Sequence, residues 1–353
     1  MHTRQRWLPS LVLALCVLAG WMATPAAAAP GPRVEAQAAV VMDAATGAVL
    51  WQRRAHNPVR VASTTKILTA IVAADHYRSG KVLKVPEAAE RVDGTRFGYR
   101  AGWRLRREQL LTTLLLVSAN DAAETLAAAW PDGGRAGFLR AMQATAEGLG
   151  CTDSTWRDPS GLDAPGHQAS AADLAVLGRA LLERPVLAQL VRSRLAPYRW
   201  PDGRGTVLGN HNHFVGQGRD PGALGIKTGY TTKAGSTIVA AQRRGSRTLV
   251  AVALGSKRMY DDVRAMLGYG FKVKPKVGAE LLGVRPDAPD GSDPTLPPAA
   301  ERITGRVSGS PSPLVERLSL RMLAAPVPLA ACAGLACVLV GVLALVWRRP
   351  RRR

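Results

Sequence analysis

The fold of this chain is decided by residues 62–70, which read Ala-Ser-Thr-Thr-Lys-Ile-Leu-Thr-Ala. Apolar residues recur from there at helical spacing, through Leu68 and Ile71, which predicts a helix that begins at Ser63. Residues i and i+3 of a helix share a face, so Lys66 can direct its amine at the Ser63 hydroxyl. A serine hydroxyl is a poor nucleophile unless a base lies beside it. Ser63 and Lys66 are therefore a candidate nucleophile and its base.

Two further short motifs follow, Ser-Ala-Asn at residues 118–120 and Lys-Thr-Gly at residues 227–229. Each pattern alone is weak, but the three patterns together, in this order, are specific. Burial and a second cation lower the pKa of a lysine, so Lys227 can help to keep the Lys66 amine neutral. The helix start at Ser63 also places backbone N–H groups where an oxyanion would develop.

The motifs belong to a longer pattern that resembles the low-molecular-weight penicillin-binding proteins, and more narrowly their D-alanyl-D-alanine carboxypeptidases, over residues 36–273. The segments that carry the resemblance are 42–50 (Met-Asp-Ala-Ala-Thr-Gly-Ala-Val-Leu), 62–70, 118–122, 158–162 (Asp-Pro-Ser-Gly-Leu), 210–212 (Asn-His-Asn) and 225–231 (Gly-Ile-Lys-Thr-Gly-Tyr-Thr). The resemblance implies an antiparallel sheet flanked by helices on both faces. It also implies removal of the terminal D-alanine from peptidoglycan stem peptides, with β-lactams as covalent inhibitors and with neither cofactor nor metal.

The same resemblance implies a role for each matching residue. Ser63 would be acylated, with Lys66 as its base, and Ser118 would relay a proton to the leaving D-alanine. The substrate-binding residues would be Asn120 for the substrate amide, Lys227 and Thr228 for the terminal carboxylate, Gly229 for close approach to the strand, and Tyr230, whose backbone N–H would form the oxyanion hole with that of Ser63. An arginine usually supports the carboxylate, and Arg258 is the nearest candidate, in a register about one residue off.

Both ends of the chain predict export and anchoring. Residues 1–28 combine a basic start, an apolar run and small residues before a cleavage site, as in a secretory signal peptide, with an uncleaved anchor as the alternative. Residues 322–347 carry no charge and are long enough to cross a bilayer, and the arginine-rich residues 348–353 follow. We therefore expect an extracytoplasmic domain with a single C-terminal transmembrane helix and a basic cytoplasmic stub.

Between the ends, residues 29–273 have globular composition and residues 274–321 read as a Pro- and Gly-rich linker. A hairpin is predicted over 38–52, strands over 236–242 and 247–254, and helices over 107–117, 121–129, 135–149, 171–182 and 261–267. Strands at both ends with helices between them predict an α+β fold. The formal charge of +21 suits an anionic membrane or wall, and export makes nucleic acid a remote partner.

Four other functions share some of these features. A serine β-lactamase has the same motifs, but no glutamate between Asn120 and Lys227 has the sequence context of a deacylating base. A zinc carboxypeptidase would use His211 and His213, whose spacing places both imidazoles on the same side of a strand. It would still need a third ligand and a general base. A wall-binding domain without turnover and a D,D-endopeptidase that cleaves cross-linked stems also remain open.

Overall fold

The computed structural model describes residues 30–216 and 218–283. The predicted segments that lie wholly or largely outside these ranges are the signal 1–28, the linker 274–321, the transmembrane helix 322–347 and the stub 348–353. Among the helices of the described ranges, none is both long and apolar enough to cross a bilayer.

Strands and helices alternate in blocks along the described chain. The strands are β1 (Ala38–Asp43), β2 (Val49–Arg53), β3 (Val82–Lys84), β4 (Arg104–Arg106), β5 (Leu195–Arg199), β6 (Gly205–Gly209), β7 (Ala223–Thr231), β8 (Gly235–Arg244) and β9 (Arg247–Ser256). The helices are α1 (Lys66–His76), α2 (Glu87–Glu90), α3 (Arg107–Leu116), α4 (Asn120–Ala128), α5 (Gly134–Gly148), α6 (Ala171–Leu182), α7 (Pro185–Arg192), α8 (His213–Gly216) and α9 (Met259–Gly270).

The central sheet has five strands in the order β2-β1-β9-β8-β7, and all neighbouring strands are antiparallel. The two ends of the domain meet at its centre, because Ala38 of β1 lies opposite Leu254 of β9. β7 is the last strand on one side of this sheet. The pairs β3–β4 and β5–β6 form two small separate sheets.

Both faces of the central sheet are buried, which explains why its strands show almost no polar alternation. Side chains of a strand point alternately to opposite faces. Val40 and Val252 therefore join the larger core, which the helices around α1 and α6 complete. Val41 and Ala251 join a second core on the other face, where they pack against α9.

The predicted α+β fold with an antiparallel sheet flanked by helices is confirmed, as are the hairpin over 38–52 and the strands over 236–242 and 247–254. The helices predicted over 107–117, 121–129, 135–149 and 171–182 match α3 to α6 within one residue. The β5–β6 hairpin was not predicted, because Pro197 and Pro201 argue against strands in sequence. Its residue pattern shows one exposed face, where a proline is tolerated.

The ordered chain continues beyond residue 273, into the region that the sequence assigns to the linker. Residues near Glu280 add a short bridge to β2: Val49 N–H donates to Glu280 O (2.8 Å), and Leu282 N–H donates to Gly47 O (2.9 Å). Leu282 is buried, and the Glu280 carboxylate contacts His56 Nε2 at 2.7 Å. This segment therefore covers the outer edge of the first hairpin.

We expect a protein that ends after residue 273 to be less stable than one that ends after residue 283. The shorter protein loses the burial of Leu282 and two backbone hydrogen bonds, about 2–4 kcal/mol of unfolding free energy. For a domain of this size that lowers the Tm by roughly 5–15 °C. Thermal unfolding of both proteins measures the difference. Equal Tm values would show that the segment contributes nothing to the fold.

Candidate active site

Ser63 lies in a 3-10 turn, Ala62–Thr65, which leads directly into α1 at Lys66. In a 3-10 turn the side chains at positions i and i+3 eclipse each other, more closely than in an α-helix. Ser63 Oγ accordingly lies 2.8 Å from Lys66 Nζ. The predicted helix start is thus a tighter turn, and that turn brings the predicted pair into contact.

Lys66 is fully buried, and its amine has two further partners besides Ser63. Nζ donates to Asn120 Oδ1 (2.7 Å) and to the backbone oxygen of Ser160 (2.6 Å). Burial, and then the positive charge of Lys227, hold the pKa of Lys66 well below its ordinary value. A neutral amine has two N–H donors and one lone pair. In that neutral form the two donors bind Asn120 and Ser160, and the lone pair faces the Ser63 hydroxyl, whose proton it can accept.

Ser118 and Asn120 occupy the junction between α3 and α4. Ser118 is half-buried and has a left-handed backbone (φ +64°), which turns the chain from one helix into the next. Asn120 Nδ2 donates to Asp93 O at 2.6 Å, so the amide is held in one orientation. The second Nδ2 hydrogen stays available for a ligand. Asn120 thus orients Lys66 in this structure, a contact that its predicted role in substrate binding did not include.

Lys227 lies on β7 and is buried, with 2% of its surface exposed. Burial lowers the pKa of its amine to about 7. Nζ donates to the Thr228 carbonyl oxygen at 2.7 Å. An amine held in this way is close to half protonated near neutral pH, and an anionic ligand would favour its charged form.

Gly229 lies against the backbone of the nucleophile. A Cβ atom at this position would come within 2.6 Å of Ser63 N and 2.7 Å of Thr237 Oγ1, so only glycine fits. Thr237 Oγ1 in turn donates to Val61 O at 3.0 Å and ties β8 to the start of the 3-10 turn. The Ser63 amide is therefore beside the backbone that leads into Tyr230.

Arg258 has a different environment from the motif residues. It is exposed at the start of α9, and its guanidinium Nε contacts Asp261 Oδ2 at 3.0 Å. Two residues earlier, Ser256 lies in register with Ser236, which itself pairs with Tyr230. The chain thus leaves β9 at the end of the sheet where Tyr230 lies two strands away, and the observed ion pair of Arg258 is on α9.

Sequence reasoning missed the buried acidic residues that surround Lys66. Asp158 Oδ1 accepts from the backbone N–H groups of Ser160, Gly161 and Leu162 and from the Ser160 hydroxyl, which shapes the loop that presents Ser160 O to Lys66. Arg135 bridges Asp158 and Glu124. The segment 158–162 carries part of the family resemblance, and its Asp-Pro-Ser-Gly order is the sequence signal for an Asx-type turn.

Asp121 holds residues 93–99 in place beside Asn120. Its carboxylate accepts from the backbone N–H groups of Phe97, Gly98 and Tyr99 at 2.8–3.0 Å. These bonds fold residues 93–99 over α4, so that the oxygen of Asp93 reaches Asn120. No sequence motif links the two segments.

The two histidines of the zinc alternative do not lie on a strand. His211 precedes α8, and His213 begins it and stacks on Tyr260 with ring centroids 5.9 Å apart. Over residues 30–216 and 218–283, no group of three or more His, Cys, Asp or Glu side chains is arranged to hold a metal ion.

Residues 24–258 match the sequence profile of peptidase family S11, described as D-alanyl-D-alanine carboxypeptidase. The chain belongs to this family. It is 36% identical to D-alanyl-D-alanine carboxypeptidase DacB2 of Mycobacterium tuberculosis, across 73% of this chain and 90% of DacB2. It is 33% identical to a D-alanyl-D-alanine endopeptidase of Pseudomonas aeruginosa, across 68% of this chain and 78% of that protein.

The fold agrees with that membership. The solved structure of a D-alanyl-D-alanine carboxypeptidase from M. tuberculosis superposes with a TM-score of 0.67 at 34% identity, and covers 74% of this chain and 99% of that one. Other relatives that are named D-alanyl-D-alanine carboxypeptidases are longer, and the matched part of the chain spans 62–66% of their length.

Proposed function

We propose that this chain is a serine D-Ala-D-Ala carboxypeptidase that removes the terminal D-alanine of peptidoglycan stem peptides. One observation carries the proposal: the buried Lys66 amine contacts Asn120 Oδ1 and Ser160 O and lies 2.8 Å from Ser63 Oγ. That arrangement is what a general base beside a serine nucleophile requires.

In the proposed reaction, Ser63 Oγ attacks the carbonyl carbon of the penultimate D-alanine while its proton passes to Lys66 Nζ. The oxyanion is stabilised by the backbone N–H groups of Ser63 and Tyr230. Collapse of the intermediate breaks the peptide bond, and the leaving amine takes a proton that Ser118 relays. Water then hydrolyses the Ser63 ester with Lys66 again as base.

Substrate would lie beside β7, the end strand of the sheet. Pairing to a free strand edge is a common way to bind an extended peptide. Lys227 and Thr228 would bind the terminal carboxylate, and Gly229 would leave room for the peptide next to Ser63. The orientation of Asn120, with one amide hydrogen uncommitted, suits a bond to the substrate backbone.

The location of the enzyme is also a proposal. A signal peptide over 1–28 and a transmembrane helix over 322–347 would place the catalytic domain outside the cell, attached through residues after 283. The basic charge balance of the chain supports this, because the outer surfaces it would face carry anionic groups.

Release of D-alanine from a pentapeptide that ends in D-Ala-D-Ala tests the activity directly. We expect steady turnover, and none when the last residue is L-alanine. An endopeptidase, the activity for which one relative is named, would instead cleave a cross-linked dimer faster than the pentapeptide. Stoichiometric binding without product would leave only a wall-binding role.

The pH dependence of kcat/KM should distinguish the two lysines. Lys66 must be neutral to act as base, so activity should fall on the acid side of its lowered pKa. Lys227 must be charged to attract a carboxylate, so activity should fall as the pH rises above about 7. A substrate with a terminal carboxamide should lack this alkaline fall.

Lys227→Ala provides the control for that profile. The variant should lose roughly 10- to 100-fold in kcat/KM with the free carboxylate, because a charge-assisted hydrogen bond contributes ~1.5–3 kcal/mol. The loss with the carboxamide should be much smaller. Equal losses on both substrates would assign Lys227 to the proton relay or the fold.

A further inference from the structure

The peptide unit between Ala62 and Ser63 is in a conformation that its own residues do not favour. Ala62 has φ +48°, a left-handed value that residues other than glycine rarely adopt. A peptide unit is planar, so the direction of the Ala62 carbonyl also sets the direction of the Ser63 N–H. Contacts that hold the carbonyl therefore aim the N–H.

The Ala62 carbonyl is held from behind by a chain of hydrogen bonds that begins at a buried histidine. The N–H of Arg157 donates to His167 Nδ1 at 3.0 Å, so Nδ1 carries no proton. The ring proton is then on Nε2, which donates to Thr65 Oγ1 at 2.9 Å. Thr65 Oγ1 in turn donates to Ala62 O at 2.9 Å. Every donor in this chain has one available acceptor, which fixes its direction.

The surroundings keep His167 in that tautomer. The side chain is buried, and its ring meets Trp156 edge-on at 5.9 Å. Burial lowers the pKa of His167 to about 4, against the nearby Asp158 and Asp163 carboxylates, which raise it. The ring is therefore neutral at physiological pH, and Nδ1 remains an acceptor.

Gly161 closes the remaining space around the same carbonyl. A Cβ at this glycine would lie 1.9 Å from Ala62 O, so the Asp158–Gly161 turn packs directly against the peptide unit. The carbonyl thus accepts from the Thr65 hydroxyl in addition to the backbone i→i+3 bond of the 3-10 turn, and it has a tight backbone contact. On the other side of the unit, Ser63 N faces Gly229.

We propose that His167 is a positioning residue for the oxyanion donor: through Thr65 it fixes and polarises the peptide unit whose N–H receives the developing negative charge. This inference rests on the proposed function, because it assumes acyl transfer at Ser63. A hydrogen bond accepted by a peptide carbonyl strengthens the N–H of the same unit as a donor. The effect is largest in the transition state, where the oxyanion forms.

Two pairs of variants in the full chain test the proposal. Thr65→Val removes the hydroxyl and keeps the shape, whereas Thr65→Ser keeps the hydroxyl. His167→Asn can still accept from Arg157 but does not reach Thr65, whereas His167→Gln places an N–H near the Nε2 position. Loss of one oxyanion donor costs about 10²–10³-fold, and a misaimed donor a part of that. We expect kcat to fall roughly 10- to 100-fold in Thr65→Val and His167→Asn, with KM unchanged.

Thr65→Ser and His167→Gln should retain most of kcat. The rate of acylation by a β-lactam should rank the four variants in the same order as kcat. Combining Thr65→Val with His167→Asn should lower kcat no further than either change alone, because both break the same chain of hydrogen bonds.

Thr64→Val is the matched control. Thr64 is also buried and its hydroxyl donates to the backbone, but to Val61 O, which belongs to a different peptide unit. Its Tm should fall as in Thr65→Val, while kcat stays within about threefold.

Two results would overturn the proposal. One is a folded Thr65→Val protein with unchanged kcat, and the other is an equal loss of kcat in Thr64→Val and Thr65→Val. Failure of the proposed function is recognised separately, since the unmodified chain would then neither release D-alanine nor react with penicillin.

Discussion

Ser63→Ala is expected to abolish acylation and to lower kcat by roughly 10⁴–10⁶-fold, the range seen when a serine nucleophile is removed. The fold should survive, because Lys66 keeps its bonds to Asn120 and Ser160. The loss of one hydrogen bond costs about 1 kcal/mol and lowers the Tm by only ~2–4 °C. D-alanine release measures kcat, and labelling by a fluorescent penicillin measures acylation.

Lys66→Ala is the companion variant. The nucleophile and its base act as a unit, so this variant should fall nearly as far, and the double variant no further. Covalent penicillin labelling of a folded Ser63→Ala protein would falsify the assignment of the nucleophile.

A β-lactam should form a long-lived adduct on Ser63 with a stoichiometry near one to one. After D-Ala-D-Ala cleavage the free D-alanine leaves, and water can approach the ester. The leaving group of a β-lactam stays tethered and blocks that path. Lys66, as the base for hydrolysis of the Ser63 ester, must then activate a water molecule that is less well placed. If this costs ~5 kcal/mol, deacylation slows by between three and four powers of ten.

The carboxylates around the site support that expectation. Three carboxylates are near enough to raise the pKa of Lys66 by their charge: Asp121, Glu124 and Asp158. Asp121 is occupied by four backbone N–H groups, Asp158 by its turn and by Arg135, and Glu124 by Arg135. Within the described ranges, the three carboxylates that influence the pKa of Lys66 thus all have other hydrogen-bond partners.

Intact mass spectrometry after one equivalent of penicillin tests the prediction. The adduct should persist for minutes or longer, whereas a peptide substrate should turn over steadily. Glu124→Gln should not change the lifetime of the adduct. Rapid recovery of unmodified protein together with excess hydrolysed penicillin would favour the β-lactamase interpretation.

The part of the candidate site that could be predicted is the part whose geometry depends on local spacing in the sequence. Ser63 and Lys66 are three residues apart on one turn, so sequence alone brings them together. The rest of the site depends on contacts between distant segments. Nothing in the sequence shows that Asp93 O holds Asn120, that Thr237 ties β8 to the 3-10 turn, or that Asp158 presents Ser160 to Lys66.

Arg258 shows how sensitive such predictions are to register. Side chains of a strand alternate between faces, so an offset of one residue changes the face on which a side chain lies. A bulge between Ser236 and Ile238 shifts the pairing of β8 with β9 just before this point. Sequence position could not resolve that shift, and the observed partner of Arg258 is Asp261.

The pairing of β1 with β9 has a consequence for how the domain folds. Sheets built from strands distant in sequence fold slowly, because a long loop must close before the pairing is stabilised. β1 has no partner on that side until β9 has been synthesised, and β8, which holds the 3-10 turn through Thr237, also pairs with β9. The 3-10 turn that carries Ser63 therefore reaches its final position late, after nearly the whole domain has been synthesised. We expect nascent chains that stop before residue 247 to remain unfolded and catalytically silent.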